Sequence, residues 1–179
     1  MAHDGVLDTF PGILMSTLTK PLLLIVALGI AACAGPGRTP PAPGDSIDTV
    51  KRKLGAPTAT YRAGQGQVLE YATGPMGQFT WMAQIDADGR LSRYEQVLTG
   101  ETFATIRIDA ATKADVLRTI GQPAERSHVA LGNYEVWSYR YKESGVWNSM
   151  MHVHFDQAGV VRMMQNGPDR RDEEPHFFR

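Results

Sequence analysis

The chain has 179 residues, enough for one domain or two small ones. Its 18 Lys and Arg balance 19 Asp and Glu, so nothing points to nucleic acid or to a basic membrane-binding face. A single cysteine excludes an intramolecular disulfide framework and a four-cysteine zinc site.

Residues 21–32, PLLLIVALGIAA, form an uncharged apolar run between Lys20 and Cys33. A run of about a dozen residues is too short to cross a ~30 Å hydrocarbon core, and it fits the h-region of a signal peptide. Ile30-Ala31-Ala32-Cys33 resembles the bacterial lipobox, in which the cysteine is acylated on sulfur and becomes the new N-terminus after cleavage. The competing readings are a secretory signal before an incidental cysteine and a buried core helix. Residues 1–14 carry Asp4, Asp8 and Pro11 where a short positive n-region belongs, so Met15 is the better start. The signal segment is assigned to residues 1–32, with its better start at Met15. Residues 33–43, rich in Pro and Gly, form a tether carrying the lipid on Cys33.

The folded part is expected over residues 44–166. GDSIDTVKRKLGAP at residues 44–57 is answered by AATKADVLRTIGQP at residues 110–123. Each has a capping residue (Asp45 or Ser46; Thr112), apolar positions at helical spacing, and a closing Gly-x-Pro that stops a helix. Strands are expected over residues 60–62, 67–73, 78–86 and 90–98. Residues 126–130, 134–142, 148–156 and 160–165 repeat the pattern after the second helix. The turns Asp86-Ala87-Asp88-Gly89 and Asp156-Gln157-Ala158-Gly159 occupy matching places. This predicts an α+β fold of two helix-then-antiparallel-sheet repeats, residues 44–98 and 109–166, joined by a connector over 99–108. Residues 167–179 read as a disordered tail.

The lipobox, the tether, the G-[small polar]-x-x-x-V-x-x-x-L-G-x-P helix and the strands that follow resemble the SmpA/OmlA group of bacterial lipoproteins, the BamE-like family. The resemblance implies an outer-membrane lipoprotein facing the periplasm that assists the β-barrel assembly machinery. That family's pattern is a single unit. The tandem arrangement is similar to the β-lactamase inhibitor protein, whose two repeats form a concave binding sheet. That comparison implies the alternative function, an inhibitor or sensor that binds a periplasmic hydrolase.

Residues 84–95 come near to a calcium-loop spacing, but Gln84 stands in the first ligand position and the flanks alternate like strands, so a β-turn is expected. His152-Val153-His154 sets two imidazoles on one strand face, too few ligands for a metal site. No G-x-S-x-G elbow or phosphate-cradling loop is present, so the chain reads as a non-catalytic protein with no cofactor beyond its lipid. If Phe79, Trp81, Ala83 and Ile85 point to the core, then Met82 and Gln84 point away from it. Met150, His152 and His154 do the same in the second repeat. Methionine suits adaptable binding surfaces. These five residues are the candidate partner-binding set, or else a face covered by the neighbouring repeat or by the helices. In the lipoproteins this resembles, Asp after the cysteine is the inner-membrane retention signal; Ala34 stands there, so the resemblance implies outer-membrane delivery in a Gram-negative host. Replacing Cys33 by Ser should abolish fatty-acid labelling and leave an unprocessed precursor, read by radiolabelled palmitate and gel mobility; normal labelling would refute the anchor.

Overall fold

The computed structural model describes residues 39–74 and 76–169. The signal segment, Cys33 and residues 170–179 lie outside them. Among the described residues no helix is long and apolar enough to cross a membrane.

Helix α1 (Ile47–Leu54) starts at Ser46, whose hydroxyl accepts the Thr49 N–H at 3.3 Å. Helix α3 (Lys113–Ile120) starts at Thr112 with a full capping box. Asp115 accepts the Thr112 N–H at 2.8 Å, and the Thr112 hydroxyl accepts the Asp115 N–H at 3.3 Å. Both helices end at a glycine with positive φ, +91° at Gly55 and +82° at Gly121, a conformation that a side chain would strain. Pro57 and Pro123 follow.

After α1 come β1 (Ala59–Ala63), β2 (Gly66–Ala72), β3 (Thr80–Ile85) and β4 (Leu91–Gln96). After α3 come β5 (Glu125–Val129), β6 (Tyr134–Glu143), β7 (Trp147–Phe155) and β8 (Val161–Pro168). Each set forms a separate four-stranded antiparallel sheet in sequential order. The result is a tandem α+β arrangement of two sheets that do not join into one.

Several backbone hydrogen bonds recur in the two sets. Ile47 N–H donates to the Gly89 carbonyl, and Lys113 N–H to that of Gly159. Thr58 N–H donates to Glu70, and Ala124 N–H to Ser138. Both third-to-fourth strand pairings shift register, between Gln84 and Ile85 and between His154 and Phe155. The expected β-turn at residues 86–89 is present. The Asp86 carboxylate caps it by accepting the N–H groups of Asp88 (3.1 Å) and Arg90 (2.8 Å) on Oδ1.

Alternation puts Leu69, Ala83 and Ile85 under Val50 of α1 in one core. Trp137, Tyr139, Val153 and Phe155 pack under Val116 and Ile120 of α3 in the other. Three expectations are corrected. Phe79 and Trp81 do not enter the core and stay 42% and 37% exposed; eight residues of helix, about 12 Å, cannot roof the whole sheet. Trp81 instead stacks on Tyr94 with ring centroids 5.1 Å apart. The connector holds α2 (Gly100–Ala104), which delivers Phe103 to the second core. Residues 167–169 are ordered, because β8 runs to Pro168 and Asp169 is buried. The fold also starts before Gly44, since Pro41 is buried and Ala42 forms a turn with Asp45.

Leu54 and Ile120 close their helices at matching positions, but Leu54 is half-buried while Ile120 is fully buried. Ile120→Ala should cost about 2–5 kcal/mol in urea unfolding, and Leu54→Ala clearly less, because only the first leaves a full cavity.

Candidate binding face and the joint between the halves

Sheet β1–β4 has a second buried face. Its alternate positions Val68 and Met82, with Val97 beyond β4 and Tyr61 from β1, form a cluster away from α1. α2 and α3 stand against this face; Met82, Gln84 and Val97 share a cleft with Glu101, Thr102, Arg118 and Thr119. Its decisive member is Glu70, which has no exposed surface. The Glu70 carboxylate accepts the Tyr61 hydroxyl at 2.5 Å and the Gln122 N–H at 3.2 Å. Gly121 lies so close that a Cβ there would fall 2.8 Å from the Glu70 Cδ. Tyr139 completes the joint by donating to the Gly121 carbonyl at 3.1 Å. The end of α3 is thus seated on the first sheet, and a cleft of about 220 Å³ lined by Thr58, Glu70, Thr80, Gln122 and Arg140 runs beside it.

Burial raises the pKa of Glu70 above the ordinary carboxylate value, while Tyr61 and the Gln122 N–H pull it the other way. Burial, then the hydrogen bond to Glu70, raises that of Tyr61. The folded chain therefore holds the Glu70 proton more tightly than the unfolded chain does.

The second sheet carries the other face of interest, opposite its core. Ser138 stands across from His152, Val136 from His154, and Arg140 from Met150. The Ser138 hydroxyl and His152 Nδ1 are 2.8 Å apart. Arg140 pairs with Glu125 through Nη2 and approaches Asp169 with Nε at 3.4 Å. Glu125, Ser127, Ser138, Arg140, Met150 and His152 line a cleft of about 310 Å³, together with Pro168 and Asp169. His154 is buried with Tyr134 edge-on at 6.1 Å, and burial followed by the charge of His152 lowers its pKa. Its ring nitrogens lack partners of good hydrogen-bond geometry, although Gln165 is near enough to favour the charged form slightly.

The five expected partner-binding residues therefore divide. Met150, His152 and His154 share one face; Met82 and Gln84 lie on another sheet. Met82 is 1% exposed, because α2 of the connector and α3 of the second half stand over the face that alternation left open. Met150 and His154 are also buried, at 7% and 6%, leaving His152 and Gln84 half-buried. Glu70 was missed altogether. Its one signal was a carboxylate inside Val68-Leu69-Glu70-Tyr71, where the second half has Ser138. Cys33 lies outside the described residues. Among those residues no group of three His, Cys, Asp or Glu could hold a metal ion.

No protein-family model matches the chain, and no curated protein matches it either. Two solved structures are similar at low level. A DUF4309 family protein from Bacillus subtilis is 14% identical with a TM-score of 0.30, the likeness covering 74% of this chain and 83% of that one. A candidate β-lactamase inhibitor protein from Streptococcus mutans is 15% identical with a TM-score of 0.27, covering 80% of this chain and 96% of that one. Neither bears on the SmpA/OmlA resemblance, which rests on the motifs alone.

Because folding raises the Glu70 pKa, the stability tied to its proton is complete below the ordinary carboxylate pKa and is lost as pH rises through the folded value. Glu70→Gln cannot lose that proton. Its stability relative to wild type should rise between pH 4 and pH 8 in urea titrations at fixed salt; a constant difference would show that Glu70 does not titrate there.

Proposed function

We propose that this chain is a lipid-anchored, non-catalytic binding protein of the bacterial envelope. It comprises two tandem BamE-like units held to the outer membrane through Cys33 and facing the periplasm. The cleft on the outer face of sheet β5–β8 supports this reading most directly. Its floor of Ser138, Arg140 and Met150 is buried, while Glu125 and Ser127 of its lining, and Gln165 across from His152, are exposed. A desolvated centre ringed by polar residues is the usual anatomy of a protein-binding patch. Assistance in outer-membrane assembly is the specific role we favour, on the motif resemblance and the anchor.

Met150 is too buried for a charge there to report on binding alone. Ser127 and Gln165 are exposed, and charges at such positions usually change stability by within about 0.5 kcal/mol. Ser127→Arg combined with Gln165→Arg should leave the melting temperature unchanged and lose the partner in pull-downs from detergent-solubilised envelopes. Barrel-assembly subunits lost with the variant support the assembly role. A soluble hydrolase lost instead supports the inhibitor alternative, and a partner retained at full level removes this face from the proposal.

A further inference from the structure

Among the described residues strand β4 is an outer strand of its sheet, and its outer edge has a pattern of its own. Val97 N–H donates to the Thr80 carbonyl, so Arg93 and Glu95, in the same phase, turn their backbone groups inward to β3. Tyr94 and Gln96 consequently direct theirs outward. At the start of the strand Leu91 is already occupied. Its N–H donates to Asp45 and its carbonyl accepts from Gly44, so the open stretch begins after it. A row of unsatisfied N–H and C=O groups is a template for another strand.

The side chains select which strand. An antiparallel copy of β4 centred on Tyr94 sets Tyr94 against Tyr94 as a hydrogen-bonded pair, the phase that the outward groups require. The same operation sets Arg93 against Glu95 of the second copy, and Glu95 against its Arg93. Both side chains are available, at 63% and 41% exposed, and both project from the same face as their own ion pair at 3.3 Å. On the opposite face Tyr94 is backed by Trp81, which is 37% exposed. Strand β5 offers no such match, since centring it on Ser127 would oppose Arg126 to His128, with no opposite charge to pair. Strand β8 ends in Pro168.

We infer that the chain forms a two-fold dimer through antiparallel pairing of β4 with β4 of a second copy, turning two four-stranded sheets into one of eight strands. Such an interface is isologous, so each contact occurs twice, and reversing one charge changes two pairs at once. It leaves the cleft on sheet β5–β8 unused, and therefore does not depend on the function proposed above.

Sedimentation equilibrium of the full chain in density-matched detergent tests this. Wild type should show a reversible monomer–dimer equilibrium. Arg93→Glu alone and Glu95→Arg alone should each weaken the dimer about tenfold or more, since two opposed pairs become two like pairs. The double variant Arg93→Glu with Glu95→Arg restores opposite charges across the axis and should return the dimer to near its wild-type strength. Melting curves should stay close to wild type in all three, as the substitutions are on exposed side chains. A wild-type chain that stays monomeric overturns the inference. So does a dimer indifferent to both single reversals, or one that the double variant fails to restore.

Discussion

The rest of the molecule depends on one buried carboxyl group. Glu70 sits in the first sheet, yet the groups it meets include the backbone end of a helix that begins more than forty residues later. Without that seat the two halves would each be a helix on a small sheet, and units of that size bury too little apolar surface to be comfortable alone. With it, α3 serves two sheets. One side of the helix fills the core of its own half through Val116 and Ile120, and its C-terminal turn closes the far face of the other.

The joint also explains why two units with matching hydrogen bonds are not interchangeable. Gly55 and Gly121 have nearly the same φ, but a Cβ on Gly55 would meet open space while one on Gly121 would strike Glu70. Ser138 occupies the strand position of Glu70, and it contacts His152 on its own sheet where Glu70 reaches into the other half. Similar backbones have been given different jobs by single residues: one sheet face receives a helix, and the other carries a polar cleft.

Local chemistry made much of the fold legible in the sequence. Ser46 and Thr112 mark the helix starts, Gly55-Ala56-Pro57 and Gly121-Gln122-Pro123 mark the ends, and Asp86 and Asp156 mark the tight turns. These depend on neighbours in the chain, so a reader of the chain can find them. The candidate site was less legible. Alternation correctly placed Met82 opposite the α1 core, but alternation cannot say whether that opposite face meets water or another half of the molecule. It met α2 and α3. Glu70 was invisible for the same reason, because its partners come from a different unit. Met150, His152 and His154 were found together because their shared face follows from strand phase alone.

The burial of Glu70 sets how the molecule responds to ionic strength. Exposed charges lose much of their mutual attraction at physiological salt, where the screening length is about 8 Å, while buried groups are screened far less. The pairs Lys53–Asp45 and Arg162–Asp109 lie at or near the surface, and each belongs to one half. The joint between the halves has no such pair at its centre; it is a carboxyl with no exposed surface, held by a phenol and a backbone N–H. Rising salt would therefore loosen the outside of each half before it loosened the connection between them. The two units would go on behaving as one body in media that strip their surfaces of attraction.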